Sequence, residues 1–237
     1  MGDARRVIAV IVQYAGPAAW LAEVLPSLDA EVLWLAAPPA AEALAKRGVN
    51  AQPLPEDPSG RLADADLLIT GTSHGPGPEK RALRAAARLG LMSMSVVDHW
   101  SNYRERFEDE TGLIWPDHIL VNDDAARRAA EAAGLPAARL RALGNPVLER
   151  RAADTGPSGD ARSWRKSLGL PADRRVVVFV SEDLARHFPE GHPFWHGFDE
   201  YRALEDIQKA LPPDAELLIK THPNEDPAKY AKWAGPH

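Results

Sequence analysis

The chain has 237 residues, more than an average domain and less than two, with 45% hydrophobic and 26% charged side chains, a composition able to bury a core. It contains no cysteine, which excludes a disulfide framework, a thiolate metal site and cysteine catalysis. Its 28 basic against 34 acidic side chains leave a formal charge of −6, which favours solubility and argues against a nucleic-acid-binding face.

The opening MGDARRVIAVIVQYAG carries a charged lead and a short apolar run, residues 7–12, rich in β-branched side chains. Without a small-residue cleavage site it reads as a first strand rather than a signal peptide. Similar apolar runs recur at 31–35, 67–70, 93–97, 118–121 and 139–143. Ala/Arg/Glu/Leu stretches of helical length lie between them, as at 79–89 and 124–133. Pro78 suits a first helical position, and Gly90 and Gly134 stand where helices should stop. Continuous apolar strands alternating with amphipathic helices predict an α/β fold with a parallel sheet covered on both faces. No apolar stretch approaches the roughly 18 residues of a membrane-spanning helix, and mean hydropathy is −0.32. The expectation is a cytoplasmic protein with no transmembrane segment, peripheral membrane contact remaining compatible with it.

At RRAADTGPSGD the apolar rhythm lapses, and residues 150–161 read as a linker after a first domain, 1–149. The pattern restarts in a second unit, 162–237. A helix is predicted at 163–168, a turn at 170–173 and a strand at 175–180. The polar aromatic loop RHFPEGHPFWHGF follows, then a helix at 199–211, a strand at 216–221 and a short helix begun by Pro227. Two parallel strands make a poor independent domain, because they expose both edges and cannot cover their faces. Either these strands join the first sheet, or they belong to a domain that is longer elsewhere.

In an open parallel sheet, ligands sit beyond the carboxyl ends of the strands, which selects five places. In TGTSHGPGP, Thr72, Ser73 and His74 offer hydroxyl and imidazole groups, and Gly71, Gly75 and Gly77 let backbone N–H groups approach a ligand. The loop is neither GxGxxG nor a P-loop, and Glu79 would repel a phosphate, so a hydroxylated ligand fits better than an anion; a capped Gly/Pro-rich loop is the alternative. In VDHWSNYRERF, Asp98 adjoins His99, and a carboxylate near an imidazole can fix its tautomer as a general base requires. Trp100, Asn102, Tyr103, Arg104 and Arg106 follow, and aromatic faces with amide and guanidinium donors suit a sugar or nucleotide. Alternatively Asp98 caps a turn, and Arg104 or Arg106 pairs with Glu108, Asp109 or Glu110. In LGNPVL a Gly-Asn-Pro turn could simply end a strand. Ser181 could bond a phosphate oxygen or cap a turn. In IKTHPNE, Lys220, Thr221 and His222 at a strand end suit a diphosphate, although Asn224, Glu225 and Asp226 restore negative character. His187, His192 and His196 lack a well-placed carboxylate, so no metal site is expected there.

These segments together resemble the GT-B superfamily of glycosyltransferases and related enzymes. LGNPVLER resembles the GNP turn of nucleotide-sugar epimerases and several GT-B transferases. LLIKTHPNE is similar to the K-x-H-P element of CDP-glycerol glycerophosphotransferases and bacterial capsule or sialic-acid transferases. The run from GTSHGPGPEK to DHWSNYRERF is similar to proteins of surface-polysaccharide assembly. The resemblance implies a Rossmann-like acceptor-side domain followed by an incomplete donor-side Rossmann-like domain, since a GT-B donor domain continues past K-x-H-P. It implies a transferase moving a glycosyl or glycerophosphate group from a nucleotide-sugar or CDP-linked donor to a sugar or polysaccharide acceptor. A nucleotide-sugar epimerase or hydrolase, or a non-catalytic sugar-binding remnant, are the alternatives on this scaffold. By the same resemblance Ser181, Lys220 and His222 lie near donor phosphates. His74, Asp98 and His99 face the acceptor, one of them serving as base, with Thr72, Ser73, Trp100, Asn102, Tyr103 and Arg106 around it. No metal or other cofactor is expected; the nucleotide-activated donor is a substrate.

Overall fold

The run RVIAVIV forms β1 (Arg6–Val12), with Ala9 to Val12 fully buried. The computed structural model describes residues 5–154, 161–193, 195–222 and 225–233. The chain divides into two compact units, residues 1–156 and 157–237.

In the first unit the apolar runs become β2 (Ala30–Ala36), β4 (Leu67–Thr70), β5 (Ser93–Val97), β8 (His118–Val121) and β9 (Leu140–Ala142), with a two-residue β3 (Gln52–Pro53) beside β2. They form one seven-stranded sheet in the order β3-β2-β1-β4-β5-β8-β9, every pairing parallel. Alternate side chains of β1 feed opposite layers. Val10 and Val12 pack with α1 (Ala15–Val24) and α2 (Pro38–Ala45). Ala9 and Ile11 pack with α3 (Pro78–Leu89). A third cluster gathers Val97, Ile119 and Val121 with α4 (Asp124–Ala132). Burial on both faces is why these strands read as continuous rather than alternating apolar runs. A small antiparallel pair, β6 (Glu108–Asp109) and β7 (Gly112–Leu113), follows β5 and is held by Arg84, which reaches Asp109 at 2.7 Å and the Gly112 carbonyl at 2.9 Å.

The expected linker is corrected at its start. Helix α5 (Pro146–Asp154) runs through residues 150–154. Pro146 opens it, the Asn145 side chain accepts the Leu148 N–H at 3.2 Å, and Arg150 pairs with Glu23 of α1 at 2.7 Å. None of its residues is buried, so a solvated helix had been indistinguishable from a loop by hydropathy. Residues 155–160 of the expected linker lie outside the described residues.

In the second unit, α6 (Ala161–Ser167), α7 (Leu184–His187) and α8 (Glu200–Ala210) accompany β10 (Arg175–Val180) and β11 (Ala215–Lys220). The two strands pair with each other, parallel and in register from Arg175↔Ala215 to Val180↔Lys220. This decides the question left by the sequence: they form their own sheet. Val178 and Val180 keep 47% and 65% of their surface exposed. Leu204, Ala215 and Tyr230 are buried, the last in the 3-10 segment Pro227–Trp233.

Candidate functional site

Strand order reverses direction between β1 and β4, the point of an open parallel sheet at whose carboxyl ends a ligand is expected, and α1 and α3, which follow the two strands, pack on opposite faces. The first residue past β1 is Gln13. Its backbone N–H donates to Glu79 Oε1 at 3.1 Å, and its amide donates to Ser73 Oγ at 2.7 Å and Glu79 Oε2 at 3.2 Å. Next to Glu79 in α3, the buried Lys80 donates from Nζ to the carbonyls of Ser73 (2.6 Å) and Gly75 (2.7 Å). The loop 71–77 is therefore folded around two buried ionisable side chains. Gly71 permits the approach, because a Cβ there would lie 2.7 Å from Glu79 Oε1. Burial pushes the Glu79 carboxyl up from its usual value, against hydrogen bonds from Ser73 and Gln13. Burial pushes the Lys80 ammonium down, against the attraction of Glu79.

This corrects the roles expected of Thr72 and Ser73. Both are buried; Thr72 Oγ1 donates to the Val96 carbonyl at 3.1 Å, and Ser73 Oγ is taken by Gln13. The Gly71 N–H is likewise spent on Ile11 at 2.9 Å. These groups brace the loop, and its exposed polar side chain is His74. Partial desolvation by the loop lowers the His74 pKa, and Arg106 and Lys80 lower it further, which favours the neutral imidazole that a base requires.

Glu79→Gln is a direct check of the buried carboxyl. A folded-state pKa above the usual value of 4.5 means that wild-type stability falls as pH rises through it. Chemical denaturation is expected to show the variant gaining on the wild type between pH 4 and pH 8. Parallel pH profiles would contradict the burial argument.

The Asp98 carboxylate lies over the amino terminus of α1, where a Cβ on Gly16 would meet Asp98 Oδ2 at 1.8 Å. A glycine in the first turn thus admits a carboxylate to the positive end of the helix. His99 turns away, its Nδ1 hydrogen-bonded to Ser101 Oγ at 2.9 Å. The Asp98–His99 pair suggested by adjacency is not formed, because successive residues past a strand end point in different directions. Trp100 is exposed and donates from Nε1 to Asp123 at 2.9 Å, and Asn102 is exposed with φ +56°. Tyr103 is corrected: it is 4% exposed, packed among Val97, Phe107 and Val121, and so belongs to the core rather than to an acceptor surface. Arg106 ties the two loops together, donating from Nε to the Ser101 carbonyl at 3.2 Å and from Nη1 to Thr72 at 3.4 Å. Of the two candidate ion-pairing arginines, Arg104 is the one that pairs, with Glu108 at 3.6 Å.

The Gly-Asn-Pro turn reaches this edge too. Asn145 donates to Asn122 Oδ1 at 3.0 Å, and Asn122 donates to the Asp98 carbonyl at 3.0 Å, linking the ends of β9, β8 and β5. Sequence reasoning passed over Gln13, Gly16, Lys80 and Asn122. The strand-end rule pointed to Gln13 and Gly16 as plainly as to the five places it was applied to, whereas nothing in the sequence marked Lys80 as buried.

In the second unit, the register of β10 with β11 brings Ser181, Lys220 and His222 to one carboxyl edge. Lys220 is exposed and His222 half-buried. Ser181 is corrected as a phosphate ligand: it is buried, donates to Glu225 Oε1 at 2.9 Å and shares a short hydrogen bond with the Tyr230 hydroxyl. Glu225 also turns inward, into a cluster with Asp183 and Glu200 whose ligand atoms lie within 4.8 Å of one another. Lys229 Nζ occupies that cluster, at 2.9 Å from Asp183, 2.7 Å from Glu200 and 2.7 Å from Glu225. The ammonium stands where a cation would, so the cluster is a poor fit for a metal ion. Burial alone would raise the Glu225 pKa; hydrogen bonds from Lys229, the His222 N–H, Ser181 and Tyr230 outweigh it and hold the carboxyl at about 2. Burial would likewise lower Lys229, and its three carboxylates instead raise it. His192 and His196 pack their rings edge-on to Phe188, each with centroids 5.5 Å away.

No family model matches the chain. Lipid-A-disaccharide synthases of Anaeromyxobacter align with it at 27% identity over 164 residues, 65% of this chain and 38% of theirs. The chain thus spans well under half the length of the curated relatives it matches. Among solved structures, the S. aureus MnaA–UDP co-structure superposes with a TM-score of 0.59 at 14% identity, covering 98% of this chain and 67% of that one. Anabaena HepE in complex with UDP gives 0.57 at 16% identity, covering 95% and 64%. UDP-GlcNAc 2-epimerase from Neisseria meningitidis bound to UDP-GlcNAc gives 0.54 at 10% identity, covering 92% and 66%. The chain has a GT-B-type fold. The resemblance carried by the GNP turn and the K-x-H-P element agrees with this assignment. The first unit carries the switch point between β1 and β4, and the second carries the strand edge at Ser181, Lys220 and His222.

Proposed function

We propose that this chain is a GT-B-like transferase of surface-polysaccharide assembly, moving a glycosyl or glycerophosphate group from a nucleotide-activated donor to a sugar acceptor. The observation that carries the reading is the carboxyl edge of β10 and β11, where Lys220 is exposed and His222 half-buried while the nearby carboxylate of Glu225 is turned inward and paired. Such an edge suits a diphosphate, whose departing charge Lys220 and His222 would stabilise. In the first unit, His74 or Asp98 would take the proton of an acceptor hydroxyl as it attacks, with His99, Trp100, Asn102 and Arg106 orienting the sugar. With Lys229 filling the carboxylate cluster of the second unit, the donor's charge falls to Lys220 and His222. The likeness to structures holding UDP and UDP-GlcNAc supports a nucleotide-linked donor. The lipid-A-disaccharide synthase match supports glycosyl transfer.

A second reading is a nucleotide-sugar epimerase or hydrolase, favoured by the UDP-GlcNAc 2-epimerase among the solved structures of this fold. Incubation with UDP-GlcNAc or a CDP-linked donor separates the two, since product without acceptor supports the second. We place the protein in the cytoplasm, where nucleotide-activated donors are made; among the described residues no helix is long and apolar enough to cross a membrane. The expected result is that UDP or CDP raises the melting temperature, and that His222→Ala weakens the binding about tenfold, roughly 1.4 kcal/mol. No shift with any nucleotide or nucleotide sugar would overturn the donor reading.

A further inference from the structure

We infer that Glu225 is the positioning residue of the strand-end site in the second unit, holding the His222 turn in place through its carboxylate. The inference rests on the donor reading above and adds a residue that the sequence argued against, since a glutamate three positions past His222 seemed to spoil a phosphate site.

Two bonds close the turn reciprocally. The His222 N–H donates to Glu225 Oε2 at 2.6 Å, and the Glu225 N–H donates to the His222 carbonyl at 3.0 Å. This is the logic of a capping box, in which a glutamate reaches back three residues to a backbone donor. The other carboxylate oxygen is anchored independently: Oε1 accepts from Ser181 Oγ at 2.9 Å and Lys229 Nζ at 2.7 Å, and the Tyr230 hydroxyl, 3.0 Å away, divides its one proton between Oε1 and Ser181 Oγ. Ser181 is the first residue past β10, and its N–H donates to the Lys220 carbonyl at 2.9 Å. One carboxylate therefore joins the end of β10, the turn after β11 and the 3-10 segment beyond.

Charge is handled at the same point. The Glu225 side chain is fully buried, and Lys229 beside it keeps only 16% of its side-chain surface. Arg186 pairs with Asp183, and the Ala185 N–H donates to Glu200 at 2.8 Å, so the remaining carboxylates are also met by donors. The negative charge is spent inward, and the outward edge is left to Lys220 and His222. Displacing a binding group by about 1 Å can cost about a hundredfold in function, which gives a buried clamp of this kind its leverage.

Glu225→Gln keeps the shape but sets an amide N–H against donors, whichever way it is turned. Glu225→Asp keeps the charge for Lys229 but cannot span both sides. Tyr230→Phe removes one anchoring bond without touching the His222 turn. Calorimetric titration with UDP and CDP is expected to show about tenfold weaker binding for Glu225→Gln and Glu225→Asp. Tyr230→Phe is expected to stay within about twofold of the wild type while also losing melting temperature. The His222 amide is expected to exchange with solvent at least tenfold faster in both Glu225 variants and not in Tyr230→Phe. Affinity falling in proportion to melting temperature across all three variants would overturn the inference, as would an unchanged His222 amide. A wild type that binds no nucleotide would overturn the donor reading alone, leaving the amide exchange to decide whether Glu225 holds the turn.

Discussion

Lys229→Met is expected to destabilise the second unit by about 3–5 kcal/mol at pH 7, the cost of leaving buried charges without their partner. The side chains of Glu225, Glu200 and Asp183 are 0%, 2% and 12% exposed, so water cannot replace the ammonium. The pH dependence carries a second signature. In the wild type, Glu225 has its carboxyl at about 2 against 4.5 unperturbed. Its contribution is therefore present above pH 4.5 and is lost as pH falls from about 4.5 towards 2. In the variant the unpaired carboxylates would prefer to be protonated, so stability should rise as pH drops from 7 to 5. Thermal unfolding at pH 7, 6 and 5 reads both effects. A variant as stable as the wild type at pH 7, or one that weakens on acidification through this range, would show that the cluster does not depend on Lys229.

On the proposed transferase reading, Gly16→Ala is expected to lower activity about a hundredfold while leaving the fold at least as stable. The new methyl would occupy the space of Asp98 Oδ2, and the carboxylate, as the end of a short side chain, would swing aside. Misplacement of a reacting group by about 1 Å carries a penalty of that size. Alanine in the first turn of α1 is worth up to about 1 kcal/mol over glycine, so stability and activity should move in opposite directions. Asp98→Asn tests the same group chemically, with a loss of about 10²–10⁴-fold expected if its carboxylate acts as base. Activity assays with a nucleotide-sugar donor, read beside melting temperatures, check both. Full activity in Gly16→Ala would remove Asp98 from the reaction and leave His74 as the base.

Most of the first sheet was legible because its strands are buried on both faces. A run such as VIAVIV has no other stable placement, and the six predicted runs each became a strand within a residue or two. Helices α3 and α4 were legible from their polar outer faces and their proline and glycine boundaries. Helix α1, AGPAAWLAEV, was not foreseen, because it is buried over much of its surface and shows little amphipathic contrast. Helix α5 was mistaken at its end for linker for the converse reason, having no buried residue at all.

The sites divide along a similar line. Sequence placed His74, Asp98, His99, Trp100, Asn102, Arg106, Lys220 and His222 at strand ends or in segments that follow them, and they lie after β4, after β5 and at the end of β11, with Arg106 in the 3-10 segment Glu105–Phe107. It could not tell an outward hydroxyl from an inward one, and Thr72, Ser73, Tyr103 and Ser181 all proved to be buried. Nor could it see that Glu79, Glu225, Lys80 and Lys229 turn inward as the pins of the two strand-end loops.

The length that fits neither one domain nor two takes on meaning through this division. By itself the sequence determined the parallel α/β class, the strand positions and the edge at which chemistry-bearing residues collect, because burial periodicity and strand-end turns are local signals. Only the tertiary structure decided that β10 and β11 form their own sheet, that Gly16 receives Asp98, and that Lys229 sits among three carboxylates. Gly16 and Asp98, like Lys229 with Asp183 and Glu200, are far apart in the chain and meet only in space, and no local pattern encodes those partners.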